Sequence, residues 1–266
     1  MSRRFLAVVL ATAPLICPSL LPAEVVSVRY SEGSVRGFLS LSSLDGERLA
    51  YGDLTQSVHG DRVTRRLVFR FKDGSVLDET VVYTQRGTFR LLSDHVIQKG
   101  PAFLHPMDVS IDGKSGLVTV RYKTEDGSEK VTATRIDLPS DLANGLILTL
   151  MKNIGPDTAQ MTVSMVAATP KPLLVKLHVA LAGEEPFAIG DSQRKAKHYV
   201  VKVEIGGASG LIAPLVGKQP ADSHVWILGG EAPAFLKAEG PLSSDGPSWR
   251  IELLSPVWPA VAAAKR

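Results

Sequence analysis

The chain has one cysteine, Cys17, and it lies in the N-terminal apolar stretch. The rest of the sequence has no thiol, so disulfide staples, a cysteine nucleophile and cysteine metal sites are excluded there. Aromatic residues are scarce, at 6%. That argues against the stacking platforms that hold nucleic acid. Neither sign of charge dominates: with Arg3 and Arg4 set aside, 28 basic residues face 27 acidic ones. Past the N-terminus no apolar run reaches the roughly 20 residues of a bilayer-spanning helix.

The N-terminus follows a different rule. Arg3 and Arg4 precede an apolar run from Phe5 to Ile16, and Leu21-Pro22-Ala23 places a small residue before Glu24. This is the pattern of an export signal over residues 1–23, cut after Ala23, and it implies a periplasmic or secreted location. Pro14 and Pro18 shorten the apolar run, which argues against a retained membrane anchor. Ile16 before Cys17 and Pro18 after it argue against lipidation of the cysteine.

From Glu24 onward the sequence alternates apolar and polar residues with a period of two, the mark of half-buried strands. Turn dipeptides punctuate it: Asp45-Gly46, Asp73-Gly74, Asp112-Gly113 and Asp126-Gly127. Val26, Val28 and Tyr30 are expected to begin a first strand. Over Arg62–Phe71, Val63, Leu67, Phe69 and Phe71 share one face, and Arg62, Thr64, Arg66 and Arg70 share the other. Arg65 falls on the face opposite the other three arginines. About a dozen strands follow one another with short turns, so sequence neighbours are expected to be spatial neighbours. The expectation is a mainly β protein: one strongly curved antiparallel sheet, open or half-barrel, spanning residues 24–256, with a frayed tail at 257–266.

One stretch breaks the pattern. Leu142, Leu146, Ile147, Leu150 and Ile154 recur at helical spacing between Ser140 or Asp141, as caps, and the stop Gly155-Pro156. A buried apolar helix is expected over 140–154, filling the mouth of the curved sheet.

No catalytic constellation stands out. Gly190-Asp-Ser192 lacks a later Asp-x-x-His, and Gly207-Ala-Ser-Gly210 lacks the nucleophile elbow. His59, His95, His105, His178, His198 and His224 show no metal-ligand spacing. The expectation is a chain with no cofactor, no metal and no catalytic residues.

The order of strands, the Leu138-Pro-Ser-Asp-Leu-Ala-Asn-Gly-Leu146 helix, a Val225-Trp-Ile-Leu228 hairpin and a closing Trp249-Arg-Ile-Glu-Leu253 strand resembles a family of exported bacterial proteins of unknown function. Their fold is similar to that of the periplasmic lipoprotein carriers and outer-membrane receptors of the Lol system, an open β-barrel with helices in its mouth. The chain is longer than those carriers and shows one clear helix where they use several. The resemblance implies an exported binding or carrier-like protein for an apolar ligand, such as an acyl chain. A strongly bent sheet can enclose such a cavity, and methionines suit irregular apolar ligands. The expected cavity lining is Leu146, Leu150, Met161, Met165 and Trp226. The alternative is a non-catalytic envelope structural or interaction protein with a filled core. Expected partners are an apolar ligand or an envelope protein, with no nucleic acid and no membrane span after cleavage.

Overall fold

The computed structural model describes residues 25–155, 157–189, 191–205, 220–243 and 246–255. The expected signal segment, the C-terminal tail, Pro156, Gly190 and the Gly207–Gly210 loop lie outside them.

The first half of the chain is a run of hairpins: β1 (Val35–Ser43), β2 (Arg48–His59), β3 (Arg62–Phe71), β4 (Val76–Arg86), β5 (Thr88–Lys99), β6 (Met107–Asp112), β7 (Leu117–Lys123) and β8 (Glu129–Arg135). A linking segment carries the short helix α1 (Ile147–Lys152). The second half adds β9 (Gln160–Ala167), β10 (Leu173–Ile189), β11 (Ser192–Glu204), β12 (Ser223–Leu228), β13 (Ala234–Pro241) and β14 (Ser248–Leu253).

All fourteen strands belong to one antiparallel sheet, in the order β8-β7-β6-β5-β4-β3-β2-β1-β14-β13-β12-β11-β10-β9. Every pairing but one joins sequence neighbours. The exception joins the first strand to the last, with Leu41 opposite Ile251 and Ser43 opposite Trp249. The two ends of the sheet are therefore β8 and β9, and they do not pair. The sheet is open rather than closed into a barrel.

One face of the sheet carries two apolar clusters. The first gathers Val63, Val81, Tyr83, Val109, Ile111 and Val120 from the first half with Met161, Val163, Leu177, Val179, Val201 and Ile227 from the second. Leu142, Ala143, Leu146, Leu150 and Met151 of the linking segment lie among them. The linking segment thus packs against both halves of the sheet, and this burial holds the two halves together where no ladder does. The second cluster lies towards the other end of the central strands: Leu39, Leu41, Ala50, Phe69, Phe71, Leu77, Phe103 and Trp249. Phe71, Phe103 and Trp249 form a mutual ring contact with centroids 5.4–6.1 Å apart.

The structure corrects three expectations. The helix spans six residues, Ile147–Lys152, rather than 140–154. Asp141 to Asn144 instead lie along the free edge of β9. Leu142 bridges Ser164 in parallel, Ala143 N donates to Ser164 O at 2.7 Å, and Asn144 Oδ1 accepts from Val166 N at 2.7 Å. Neither Ser140 nor Asp141 caps the helix. The Asp141 carboxylate accepts from Ser164 Oγ at 3.0 Å, and Leu146 is the N-cap with no side-chain bond. Gly145, at φ +60°, separates the edge segment from the helix, because a left-handed residue cannot continue a right-handed turn.

The second correction concerns Val26–Tyr30. These residues form no strand, only a bridge from Ser27 to Thr88. They strap α1 instead: Asn153 Oδ1 accepts from both Arg29 N and Tyr30 N, at 2.9 and 2.7 Å, and Lys152 pairs with Glu32. Third, β10 and β11 run eight and six residues past the expected ends at Leu181 and His198. Their outer arm, from Gly183 to Lys197, is rich in charge and largely exposed, so it shows no apolar alternation to read. Among the described residues, no helix is long and apolar enough to cross a membrane.

Candidate functional site

Antiparallel register decides which side chains reach the inner face. Residues directly opposite on neighbouring strands point the same way. Between the two apolar clusters this brings Leu54 and Gln56 of β2, Arg65 and Leu67 of β3, Glu79 of β4, and Asp94 and Val96 of β5 to one belt. Gln56 faces Arg65, Arg65 faces Val81, and Val81 faces Asp94.

The belt is polar where its flanks are apolar. Arg65 and Glu79 keep 12% and 23% of their side chains exposed, and their charges approach to 3.7 Å. Arg65 Nη2 also donates to the carbonyl of Gly145, so the guanidinium ties the inner face of the sheet to the start of α1. Asp94 is only 4% exposed, and its Oδ1 has no hydrogen-bond partner. A Cβ built on Gly145 would stand 3.5 Å from that oxygen. Burial, and then the nearby Glu79 carboxylate, hold the Asp94 carboxyl well above the usual carboxylate range, against the opposing pull of Arg65. Tyr83 of β4 shows the same effect: burial pushes its phenol up to about 12.

This perturbation has a sign that can be measured. A carboxyl whose native value is raised favours the fold when neutral, so its contribution is complete below about pH 4. That contribution is lost as pH climbs towards and through the raised native value. We therefore expect Asp94→Asn to match the wild type near pH 4 and to exceed it in stability by about 1–3 kcal/mol at pH 8, the cost of a buried unpartnered charge or polar group. Urea unfolding at both pH values checks this. A constant difference between wild type and variant would contradict it.

Leu54, Leu67 and Val96 pack against the second cluster yet remain partly exposed. They form the accessible apolar part of the inner face. Val63 and Phe69 on β3, and Val81 on β4, are fully buried beside them. At the far end of the second cluster, Phe71, Trp249, Leu49 and Ala102 floor a depression of about 320 Å³ rimmed by Glu47, Lys72 and Asp73.

The structure brings four of the five expected lining residues together. Leu146, Leu150 and Met161 are buried in the first cluster, and Met165 packs against its edge. Trp226 stands apart. Its neighbours Val225 and Ile227 enter the first cluster, so Trp226 faces the other side of the sheet. There it stacks on His198, with ring centroids 4.4 Å apart, and lies under Lys237 Nζ at 3.8 Å. Its Nε1 donates to Glu185 at 2.8 Å. Glu185 also pairs with His198 Nδ1 at 2.9 Å, and His198 Nε2 meets His224 Nδ1 at 2.9 Å.

The belt residues were not expected from the sequence, except that Arg65 was already placed opposite its neighbouring arginines. The signal for Asp94 was hidden by a β-bulge. The β4–β5 register shifts between Val82 and Tyr83, so Tyr83 faces Leu91 while Val81 faces Asp94. Without that extra residue, strict alternation from Leu91 would send Ser93 and His95 inward and Asp94 out.

No protein-family model and no curated protein sequence matches the chain. Among solved structures, the chain is similar to a beta-barrel-like protein of the domain of unknown function DUF1849 from Brucella abortus, with a TM-score of 0.44 and 9% identity, over 84% of this chain and 96% of that one.

Proposed function

We propose that this is an exported, non-catalytic binding or carrier protein that takes an apolar ligand, such as an acyl chain, on the inner face of its open sheet. The observation that carries the reading is the accessible apolar surface of Leu54, Leu67 and Val96, exposed between two buried clusters. A single buried core would leave no such surface on its inner side. The linking segment with α1 seals the first cluster, so Leu146, Leu150, Met161 and Met165 meet a ligand only when that segment lifts. The N-terminal export pattern supports delivery to the periplasm.

The second reading, an envelope interaction protein with a filled core, is favoured by the burial of Leu146, Leu150 and Met161. One experiment separates the two. The protein is purified from a bacterial periplasm, and native mass spectrometry with solvent extraction identifies anything bound. The carrier reading expects a stoichiometric acyl-chain adduct that Leu67→Glu removes while leaving circular dichroism unchanged. A clean apo mass after incubation with membrane lipids would reject it and leave the filled-core protein.

A further inference from the structure

We propose that the belt of Glu79, Asp94 and Arg65 is a subsite for the primary ammonium group of an amphiphile whose alkyl chain lies over Leu54, Leu67 and Val96. This rests on the binding reading above and adds the chemistry of the ligand's head.

The argument is an inventory of donors and acceptors. A carboxylate only accepts, a guanidinium only donates, and an ammonium donates three times. Arg65 donates to Gly145 O and stands near Glu79. One cation therefore faces two acids. Asp94 Oδ1 is buried without a donor, and Glu79 has only the 3.7 Å approach of Arg65. The unmet capacity of the belt is for a hydrogen-bond donor of positive charge. Buried acceptors in native proteins find partners, so an orphan of this kind marks a place for one.

Geometry fits the same head. Glu79 and Asp94 are diagonal neighbours on adjacent strands, since Val81 faces Asp94 and Glu79 faces Val96. Side chains in that relation reach a common point. Glu79, the more exposed of the two, sits beside the accessible leucines, and Asp94 lies deeper under Gly145. An ammonium entering along Leu67 and Val96 meets Glu79 first and Asp94 second. A fatty acid head would meet two acids, and a neutral alcohol would leave one of them unmatched.

The raised Asp94 carboxyl adds a signature. Burial and the Glu79 charge raise it in the empty protein, and an ammonium beside it favours the ionised form. Binding of an ammonium then lowers the proton affinity of Asp94, so octylamine releases protons to solvent where octanol does not.

The test compares octylamine, 1-octanol and octanoate by isothermal titration calorimetry at pH 7.5, in two buffers of different ionisation enthalpy. Wild type, Asp94→Asn and Glu79→Gln are each used as the full mature chain, with thermal unfolding to verify that the variants fold. Octylamine is expected to bind at least tenfold more tightly than octanol and to release protons on binding. Each variant should lose most of that preference and keep its octanol affinity, and Asp94→Asn should abolish the proton release. If octanol or octanoate binds as tightly as octylamine, the subsite is wrong while the binding reading stands. Octylamine affinity unchanged in both variants would overturn it in the same way. If none of the three ligands binds, the binding reading fails and the subsite fails with it.

Discussion

Gly145→Ala is expected to destabilise the protein by about 2–5 kcal/mol, more than most single-atom additions to a surface loop. Two independent costs add at this residue. Its φ of +60° is left-handed, which costs an L-residue about 1–2 kcal/mol. The added methyl would also overlap Val81 Cγ2, a fully buried side chain at the centre of the first cluster. Overpacking a closed core costs about 1–3 kcal/mol further. Neither neighbour yields easily. Val81 is held between β3 and β5 by the ladder, and Gly145 is held by Ala143 and Asn144 on the edge of β9 and by Arg65 on its carbonyl. Urea denaturation gives the difference directly. A loss below 1 kcal/mol would show that the linking segment is not seated on the sheet as described. Gly127→Ala provides the control: it shares the positive φ, at +81°, but no atom lies within 4 Å of the new methyl. It should show the backbone cost alone.

Trp249→Ala is expected to cost about 3–5 kcal/mol, in the range for deleting a large buried aromatic side chain. Trp249 is buried in the second cluster against Phe71 and Phe103, at 5.4 and 6.1 Å between ring centroids. It also sits on β14 directly opposite Ser43 of β1. That pairing joins the two halves of the sheet through the only non-local ladder among the described residues. Loss of the ring therefore removes packing where the chain must bring its ends together, the contact with the largest closure entropy to overcome. The variant should unfold at lower urea and also fold more slowly, since sequence-distant contacts set folding speed. Trp249→Phe, which keeps an aromatic ring among its neighbours, should recover most of the stability. A Trp249→Ala variant as stable as wild type would show that the β1–β14 seam does not depend on the aromatic trio.

The hairpin register was legible because each strand of the meander carries its own alternation and its own turn. Arg62–Phe71 shows this well. Its inward set, its outward arginines and the odd placement of Arg65 follow from counting by two, and the structure keeps the same residues for the strand. On the outer face Arg66 then meets Asp78 through two hydrogen bonds, which draw the Asp78 carboxyl below its usual range. Exposed pairs of this kind contribute at most about 1 kcal/mol, so they mark the solvent side without holding the fold.

The linking segment was misread for a physical reason. Leu142, Leu146 and Leu150 recur at helical spacing, and local propensity favours a helix through them. Tertiary contacts outweigh it: the edge of β9 offers unpaired backbone groups, and Asp141 to Asn144 satisfy them in an extended path. The apolar spacing still reports burial, since Leu142, Leu146 and Leu150 all enter the first cluster.

Composition and alternation by themselves determined that this is a mainly β, thiol-free sheet of consecutive hairpins with a buried apolar insertion near its middle, because those features depend only on neighbours along the chain. The tertiary structure alone decided which strands close the seam, how short the helix is, and that Asp94 stands inside the sheet. Those depend on one bulge, one left-handed glycine and contacts between residues over a hundred positions apart, where the free energy is set by packing and not by local pattern.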